Sequence, residues 1–262
     1  MKKTVLNYLV IAALAVVAVF TSCNNDDNDG NDNIGLLLET ITFDDGGYAQ
    51  LEYDDKNRIT IISEYSEECV DETTFTYIGN DLVKVVSVYS KMEFAKSGTK
   101  ITFKGIWNNE SIEGTINLNK DGLPSKKEWK IEYDNNPPYY ILFVQTYEYL
   151  DGNLISFEIY QSSPIYDVSA PILVDGGKNA KHITVEYHNY DDNKSPFYYC
   201  KTPKWYWICF SSEFVFGYKN NPTNIFMDGA KSELIYEYNS DRFPIKCTRV
   251  GERENIIEYK YK

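Results

Sequence analysis

Short runs of alternating apolar and polar residues fill the sequence from residue 34 onward, and this pattern constrains the fold more than any other feature. In residues 182–188, Ile183, Val185 and Tyr187 share one face of an extended chain, and polar side chains occupy the other face. No run keeps an apolar stripe at helical spacing for three turns. The pattern therefore predicts one all-β domain over residues 34–262, an antiparallel meander of a dozen or more strands without major helices.

The predicted strands are separated by turns rich in Asn, Asp and Gly. The strands are expected at 59–65, 73–78, 82–89, 101–107, 114–118, 129–133, 140–149, 155–160, 182–188, 205–210, 213–218, 233–238, 245–250 and 255–261. Five turns repeat one design, in which an aromatic or aliphatic residue ends a strand and Asn, Asp or Gly forms the turn, at 53–59, 77–82, 118–124, 149–154 and 238–244. Their spacing is irregular, which predicts a reused hairpin rather than a solenoid or propeller.

The N-terminus has the features of an export signal. Lys2 and Lys3 precede an apolar run at 9–20, which is too short for a membrane span and is typical of a signal-peptide core. The small residues before Cys23 resemble the lipobox of bacterial lipoproteins. This resemblance implies a signal peptide at 1–22 and cleavage before Cys23. It also implies acylation of Cys23, palmitate included, which would anchor the chain in a membrane.

An acidic segment follows this cysteine. Residues 24–33 contain only Asn, Asp and Gly, so they cannot fold by burial, and 23–33 is predicted to be a flexible tether. The segment resembles the acidic export tag of surface lipoproteins in some Gram-negative gut commensals. That resemblance implies an outer-membrane lipoprotein displayed at the cell surface, with the periplasm-facing side of the outer membrane as the alternative.

Two segments carry a resemblance that covers most of the chain. Residues 216–225 and 236–244 each combine Tyr-containing strands with an Asn/Asp turn and a Pro. They resemble a large family of uncharacterised secreted lipoproteins with a porin-like fold, and the likeness extends over about residues 36–262. The resemblance implies a strongly curved, many-stranded sheet or barrel. It implies no known activity and no catalytic residues.

Charged side chains recur on the polar faces of the predicted strands, for example Lys104, Glu158 and Glu186. A membrane-spanning barrel needs an uncharged lipid-facing band. The alternation therefore favours a sheet or barrel with one face in water.

Composition and motifs exclude several functions. The chain has 39 acidic and 26 basic residues, and its net charge of −13 argues against binding to nucleic acid or to anionic lipid headgroups. It has no glycine-rich phosphate loop, nucleophile elbow or zinc-protease motif, so we predict no enzyme activity and no cofactor. His182 and His188 share a strand face with Glu186 but span about 20 Å at strand rise, which predicts solvated histidines rather than a metal site.

Aromatic clusters are the best candidates for ligand binding. Trp205 and Trp207 would share one face of a strand, and Tyr139 and Tyr140 follow two prolines. Such rings stack on sugars or fill protein interfaces. The same clusters would also suit cross-strand packing inside the sheet.

Four cysteines follow Cys23, and an even number in an exported chain permits two disulfides. Cys200 and Cys209 flank a short segment and could bridge the ends of a hairpin. Alternatively, some of the four are small buried apolar residues.

The sequence thus predicts a lipid-anchored envelope protein that is a non-enzymatic binding or scaffold module for a glycan, peptide or partner protein. One alternative is a hydrolase acting on polysaccharide, which would need two converging carboxylates. The other is a structural or transport-linked barrel of the envelope.

Overall fold

The alternating segments form antiparallel strands in a computed structural model. It describes residues 35–67, 69–134, 139–162, 181–210, 219–227, 229–251 and 255–262. The predicted signal peptide, the predicted lipidation site Cys23, the predicted tether and the strand expected at 213–218 lie outside these residues.

Sixteen strands and one short helix occupy the described residues. The strands are β1 (Leu38–Phe43), β2 (Tyr48–Tyr53), β3 (Ile59–Tyr65), β4 (Val70–Ile78), β5 (Asp81–Val86), β6 (Ser90–Ser97), β7 (Lys100–Trp107), β8 (Glu110–Leu118), β9 (Pro124–Tyr133), β10 (Tyr139–Leu150), β11 (Asn153–Gln161), β12 (Lys181–Tyr190), β13 (Pro222–Met227), β14 (Ala230–Tyr238), β15 (Pro244–Val250) and β16 (Asn255–Tyr261). The helix α1 (Lys204–Phe210) lies between β12 and β13.

Each strand pairs with the next one along the chain, and β16 pairs with β1 to close the sheet into a barrel. The closing pair is antiparallel, with Ile41 opposite Tyr259 and Phe43 opposite Ile257. The prediction of an all-β antiparallel meander is confirmed, and the sheet is a closed barrel.

The two faces of the barrel wall differ in polarity. Ile101 and Phe103 point inward and are buried, whereas their neighbours Thr102 and Lys104 point outward and are exposed. Charges of alternating sign lie opposite one another across the outward face of four strands, in the order Glu93, Lys104, Glu113 and Lys130. The ammonium of Lys130 lies 2.9 Å from the carboxylate of Glu113. On these strands the apolar side chains therefore lie inside the barrel, and the outward face is charged.

The meander gives the barrel two distinct ends. The terminal end carries the start of β1, the end of β16 and the long connection 191–221. Paired backbone hydrogen bonds join Leu37 and Lys262 there. The far end carries the opposite set of turns, among them 44–47, 87–89 and 108–109.

The five repeated turns all lie at the terminal end, and each is a hairpin with a register shift beside it. In three of them, the side chain of Asp54, Asn119 or Asn239 accepts hydrogen bonds from two backbone N–H groups later in the turn. Three residues after each of these side chains, the backbone has a positive φ. The residues concerned are Asn57, Gly122 and Arg242. These three turns reuse one hairpin geometry, as the repeated pattern predicted, whereas the turns at 77–82 and 149–154 are two-residue hairpins.

Tyrosines at the ends of strands explain part of the tyrosine-rich composition. The hydroxyl of Tyr53 donates to the carbonyl oxygen of Leu38 at 2.8 Å, and that of Tyr77 donates to Ile59 at 2.9 Å. The hydroxyl of Tyr261 donates to Pro244 at 2.7 Å. These bonds satisfy backbone carbonyl groups at the terminal end of the barrel.

The strand predicted at 205–210 is wrong, because this segment forms α1. Its residues enter the barrel interior, where every described strand already has two partners. A segment inside a closed barrel finds no sheet edge, so its backbone groups must bond within the segment, as a helix allows.

No helix among the described residues is long and apolar enough to cross a membrane.

Four strands were missed by the sequence pattern, namely β1, β2, β6 and β13. Three of them are only six residues long, and β6 carries charged side chains on its outward face. Their pairing depends on the neighbouring strands, which periodicity within a short window does not reveal.

Candidate functional site

Helix α1 carries the tryptophans that the sequence marked as a binding surface. Trp205 and Trp207 are 5% and 2% exposed. The Trp205 ring lies 5.1 Å from the ring of Phe94, and the Trp207 ring lies 5.4 Å from that of Phe75. Both tryptophans are core residues in this fold and offer no exposed face, which corrects the prediction of an exposed pair on a strand.

The structure contains no disulfide between Cys200 and Cys209. The segment between them bends and then forms α1, instead of the hairpin on which the suggested bridge depended. Both residues are buried, as the alternative prediction of small apolar residues required. Burial raises the pKa of the Cys209 thiol to about 11.

Tyr139 lies at the far end of the barrel in a row of inward-facing side chains. Trp107 of β7 is opposite Glu110 of β8, and Tyr133 of β9 is opposite Tyr139 of β10. Ser111 pairs with Glu132, which places Glu110 beside Tyr133 across β8 and β9. At one level of the barrel, the strands β7, β9 and β10 thus each present an aromatic ring, and β8 presents a carboxylate.

Local sequence explains how this row is held. Asn108 and Asn109 connect β7 to β8, and both have positive φ. A two-residue turn of that kind matches the twist of a hairpin and fixes Trp107 opposite Glu110. The rings of Tyr133 and Tyr139 are stacked, with centroids 4.8 Å apart.

A pocket of about 220 Å³ opens among Trp107, Asn108, Glu110, Ile131 and Tyr133. Burial raises the pKa of Tyr133, and the nearby Tyr139 and Glu110 raise it further. The carboxylate and the phenol therefore lie close together and face the same space. We call these five residues the rim pocket.

The rim pocket combines apolar ring surface with unused polar groups. The carboxylate of Glu110 makes no hydrogen bond or ion pair with another described residue. It can accept hydrogen bonds, and the Asn108 amide can both donate and accept them. Of the predicted binding residues, only Tyr139 lies beside this pocket, because Tyr140 points to the opposite face of β10 and is 6% exposed. Sequence reasoning missed Trp107, Glu110 and Tyr133, although the Asn-Asn turn between two strands was a usable signal.

A larger groove of about 690 Å³ crosses β6 to β10, where the outward charge ladder lies. Several charged groups in its lining already form ion pairs. Lys130 lies 2.7 Å from Glu132, and Lys126 lies 2.7 Å from Glu128. The rim pocket, with its unpaired carboxylate, is therefore the better candidate for a ligand.

His182 and His188 lie exposed on β12, and the structure does not bring them together. His182 is 3.9 Å from Glu158, whereas His188 is 2.9 Å from Glu186. Within the described part of the chain, no group of three or more His, Cys, Asp or Glu side chains is arranged to hold a metal ion.

Comparisons with known proteins return few matches. No family model matches the chain, and no curated protein matches it significantly. Among solved structures, a porin-like protein from Bacteroides vulgatus ATCC 8482 shares 9% identity, with 86% of this chain and 99% of that chain covered at a TM-score of 0.39. A porin-like protein from Bacteroides uniformis ATCC 8492 shares 10% identity, with coverage of 86% and 96% at a TM-score of 0.35.

Proposed function

We propose that the chain is a lipid-anchored protein of a bacterial outer envelope. Its barrel is a non-enzymatic binding module whose outer surface is in contact with water. The observation that carries this proposal is the charged outward face of β6 to β9. Glu93, Lys104 and Glu113 point outward from the middle of neighbouring strands. A lysine on the lipid face of a barrel costs about 2–4 kcal/mol at the bilayer midplane, so this wall suits water.

The interior supports binding rather than transport. Helix α1 and the inward side chains occupy the barrel, and the ring of Phe94 contacts both Trp205 and Phe210. Phe103 also packs against Phe210, with ring centroids 5.1 Å apart. The inside of the barrel is thus a packed core where a transport barrel keeps a polar lumen.

The anchor and the rim pocket would lie at opposite ends of the barrel. The described chain begins at the terminal end, where Leu37 bonds to Lys262. An extended tether of residues 23–34 reaches at most about 40 Å. Acylation of Cys23 would therefore tether the barrel to the membrane from its terminal end and leave the rim pocket at the opposite end.

Two forms of the protein test the proposal. The full chain should take up labelled palmitate and fractionate with the outer membrane. A form with a plain cleavable signal peptide in place of residues 1–23 should be released and remain monodisperse without detergent. A released barrel that aggregates unless detergent is present would overturn the water-facing wall, and absence of palmitate would overturn the anchor.

Protease treatment of intact cells distinguishes the two sides of the membrane. Cleavage of the full chain on intact cells supports surface display, which the acidic segment at 24–33 favours. Cleavage only after the outer membrane is opened would place the barrel on the periplasmic side.

A further inference from the structure

We infer that the rim pocket binds the terminal sugar unit of a carbohydrate. This inference rests on the proposed binding function and names its ligand class. Trp107 and Tyr133 project from β7 and β9, two strand spacings apart, so their backbones are separated by about 9.6 Å. Glu110 projects from the strand between them.

The spacing suits one flat ring of a ligand. An aromatic side chain on each side supplies apolar surface for the C–H faces of a pyranose. The space of about 220 Å³ is smaller than the usual range of about 300–1,000 Å³ for drug-sized ligands. The pocket therefore admits one sugar unit, and the rest of a longer glycan would extend into solvent.

The polar groups match hydroxyls better than they match a cation. A sugar hydroxyl both donates and accepts, so it can donate to Glu110 and accept from the Asn108 amide or the Tyr133 hydroxyl. An ammonium group only donates and would leave the donors of Asn108 and Tyr133 unused. An anionic ligand would meet the unpaired carboxylate of Glu110 and is disfavoured.

The position of the rim pocket in the barrel agrees with a sugar unit that belongs to a longer glycan. The rim pocket lies at the far end, opposite the terminal end from which the tether leaves. The tether therefore leaves the far end free to meet a glycan chain.

The test measures binding of methyl glycosides by the full chain. The protein is purified in a detergent whose headgroup is neither a sugar nor a choline, and neutral hexosides and N-acetylhexosaminides are titrated by calorimetry. Choline and spermidine serve as cationic probes. We expect saturable binding of at least one glycoside, without binding of the cationic probes.

Three variants locate the site. W107A should weaken glycoside binding by about tenfold or more, since it removes one stacking face. E110Q keeps the size of the side chain and should weaken binding by about fivefold, because a charged acceptor is lost. Y89A is the matched control, since Tyr89 is an exposed aromatic residue in a neighbouring far-end turn, and it should bind as the wild type does.

Each outcome decides the inference. Binding that is unchanged in E110Q and in a folded W107A or W107L, both of which lack the aromatic ring, would place the sugar elsewhere and overturn the inference. Binding of the cationic probes without binding of any glycoside would overturn the ligand class. Absence of binding for every glycoside and every cationic probe would overturn it as well. None of these results bears on the membrane anchor or on the water-facing wall, which are tested separately by palmitate labelling and detergent-free solubility.

Discussion

The ammonium nitrogen of Lys127 donates a 2.6 Å hydrogen bond to the carbonyl oxygen of Cys209, joining β9 to the last turn of α1 inside the barrel. The same ammonium lies 4.0 Å from the ring centroid of Phe210 and 4.2 Å from that of Trp129. Burial lowers its pKa to about 8. Lys127 therefore ties α1 to β9 through one hydrogen bond and through contacts of its side chain with two aromatic rings.

K127M should destabilise the protein at pH 7 by about 1–2 kcal/mol, because the carbonyl of Cys209 loses its buried donor. The folded protein holds Lys127 with a lower pKa than the unfolded chain does, so the wild type gains stability as pH rises from about 8 to 10.5. The difference between wild type and K127M should widen over that range in urea unfolding. K126M, at an exposed outward lysine next to it, should show neither effect. A K127M variant as stable as K126M would contradict the anchoring role.

The raised pKa of Glu64 in β3 predicts a pH dependence of stability opposite in sign to that of Lys127. Glu64 faces Asp71 across β3 and β4, and burial raises its pKa to about 7, with a further rise from Asp71. The folded state therefore holds its proton more tightly than the unfolded state, and stability falls as pH rises from about 4.5 to 7. E64Q should be more stable than wild type by about 3 kcal/mol at pH 8 and equal to it below pH 4.

The matched control for Glu64 is Glu72, which is exposed on the neighbouring strand β4. E72Q should follow the wild-type curve of unfolding free energy against pH within about 0.5 kcal/mol. If E64Q also follows that curve, Glu64 does not carry a raised pKa in the folded protein.

The tyrosine hydroxyl bonds at the terminal end make a separate prediction. Y53F removes the 2.8 Å bond to the carbonyl oxygen of Leu38 and leaves that acceptor without its partner. The free energy of unfolding should fall by about 1 kcal/mol. Y48F is the control, because Tyr48 stacks on Tyr65 and loses only a hydroxyl with no hydrogen bond to another described residue. Equal midpoints in urea for the two variants would show that the hydroxyl bond adds nothing.

A substitution at Gly122 tests whether the repeated turn requires a positive φ at this position. The φ of Gly122 is +75°, and a Cβ added there would meet no atom within 4 Å, so any cost comes from the backbone alone. G122A should lower the free energy of unfolding by about 1 kcal/mol, since the left-handed region is unfavourable for residues with a Cβ. K120A changes the same turn at an exposed position and should be neutral within about 0.5 kcal/mol. Loss of stability in both variants would point to the turn's side chains instead.

Much of the fold followed from local sequence, since a period of two places alternate side chains on opposite faces of a strand. The turns at Asn57 and Arg242 were also predicted, although neither residue is glycine, because the surrounding Asn and Asp residues form the turn. The binding residues were predicted less well. Trp107, Glu110 and Tyr133 lie far apart in the chain except at one hairpin, and only strand register brings them into one row.

By itself, the sequence determined an all-β antiparallel meander, its repeated hairpins and its two-faced strands, because those features arise from contacts between neighbouring residues. Closure of β16 on β1, the helix at 204–210 and the burial of Trp205 and Trp207 were decided only by the tertiary structure. The physical reason is that backbone hydrogen bonding is satisfied across the whole barrel. Once all the described strands are paired, a segment inside them must bond to itself, whatever its own alternation favours.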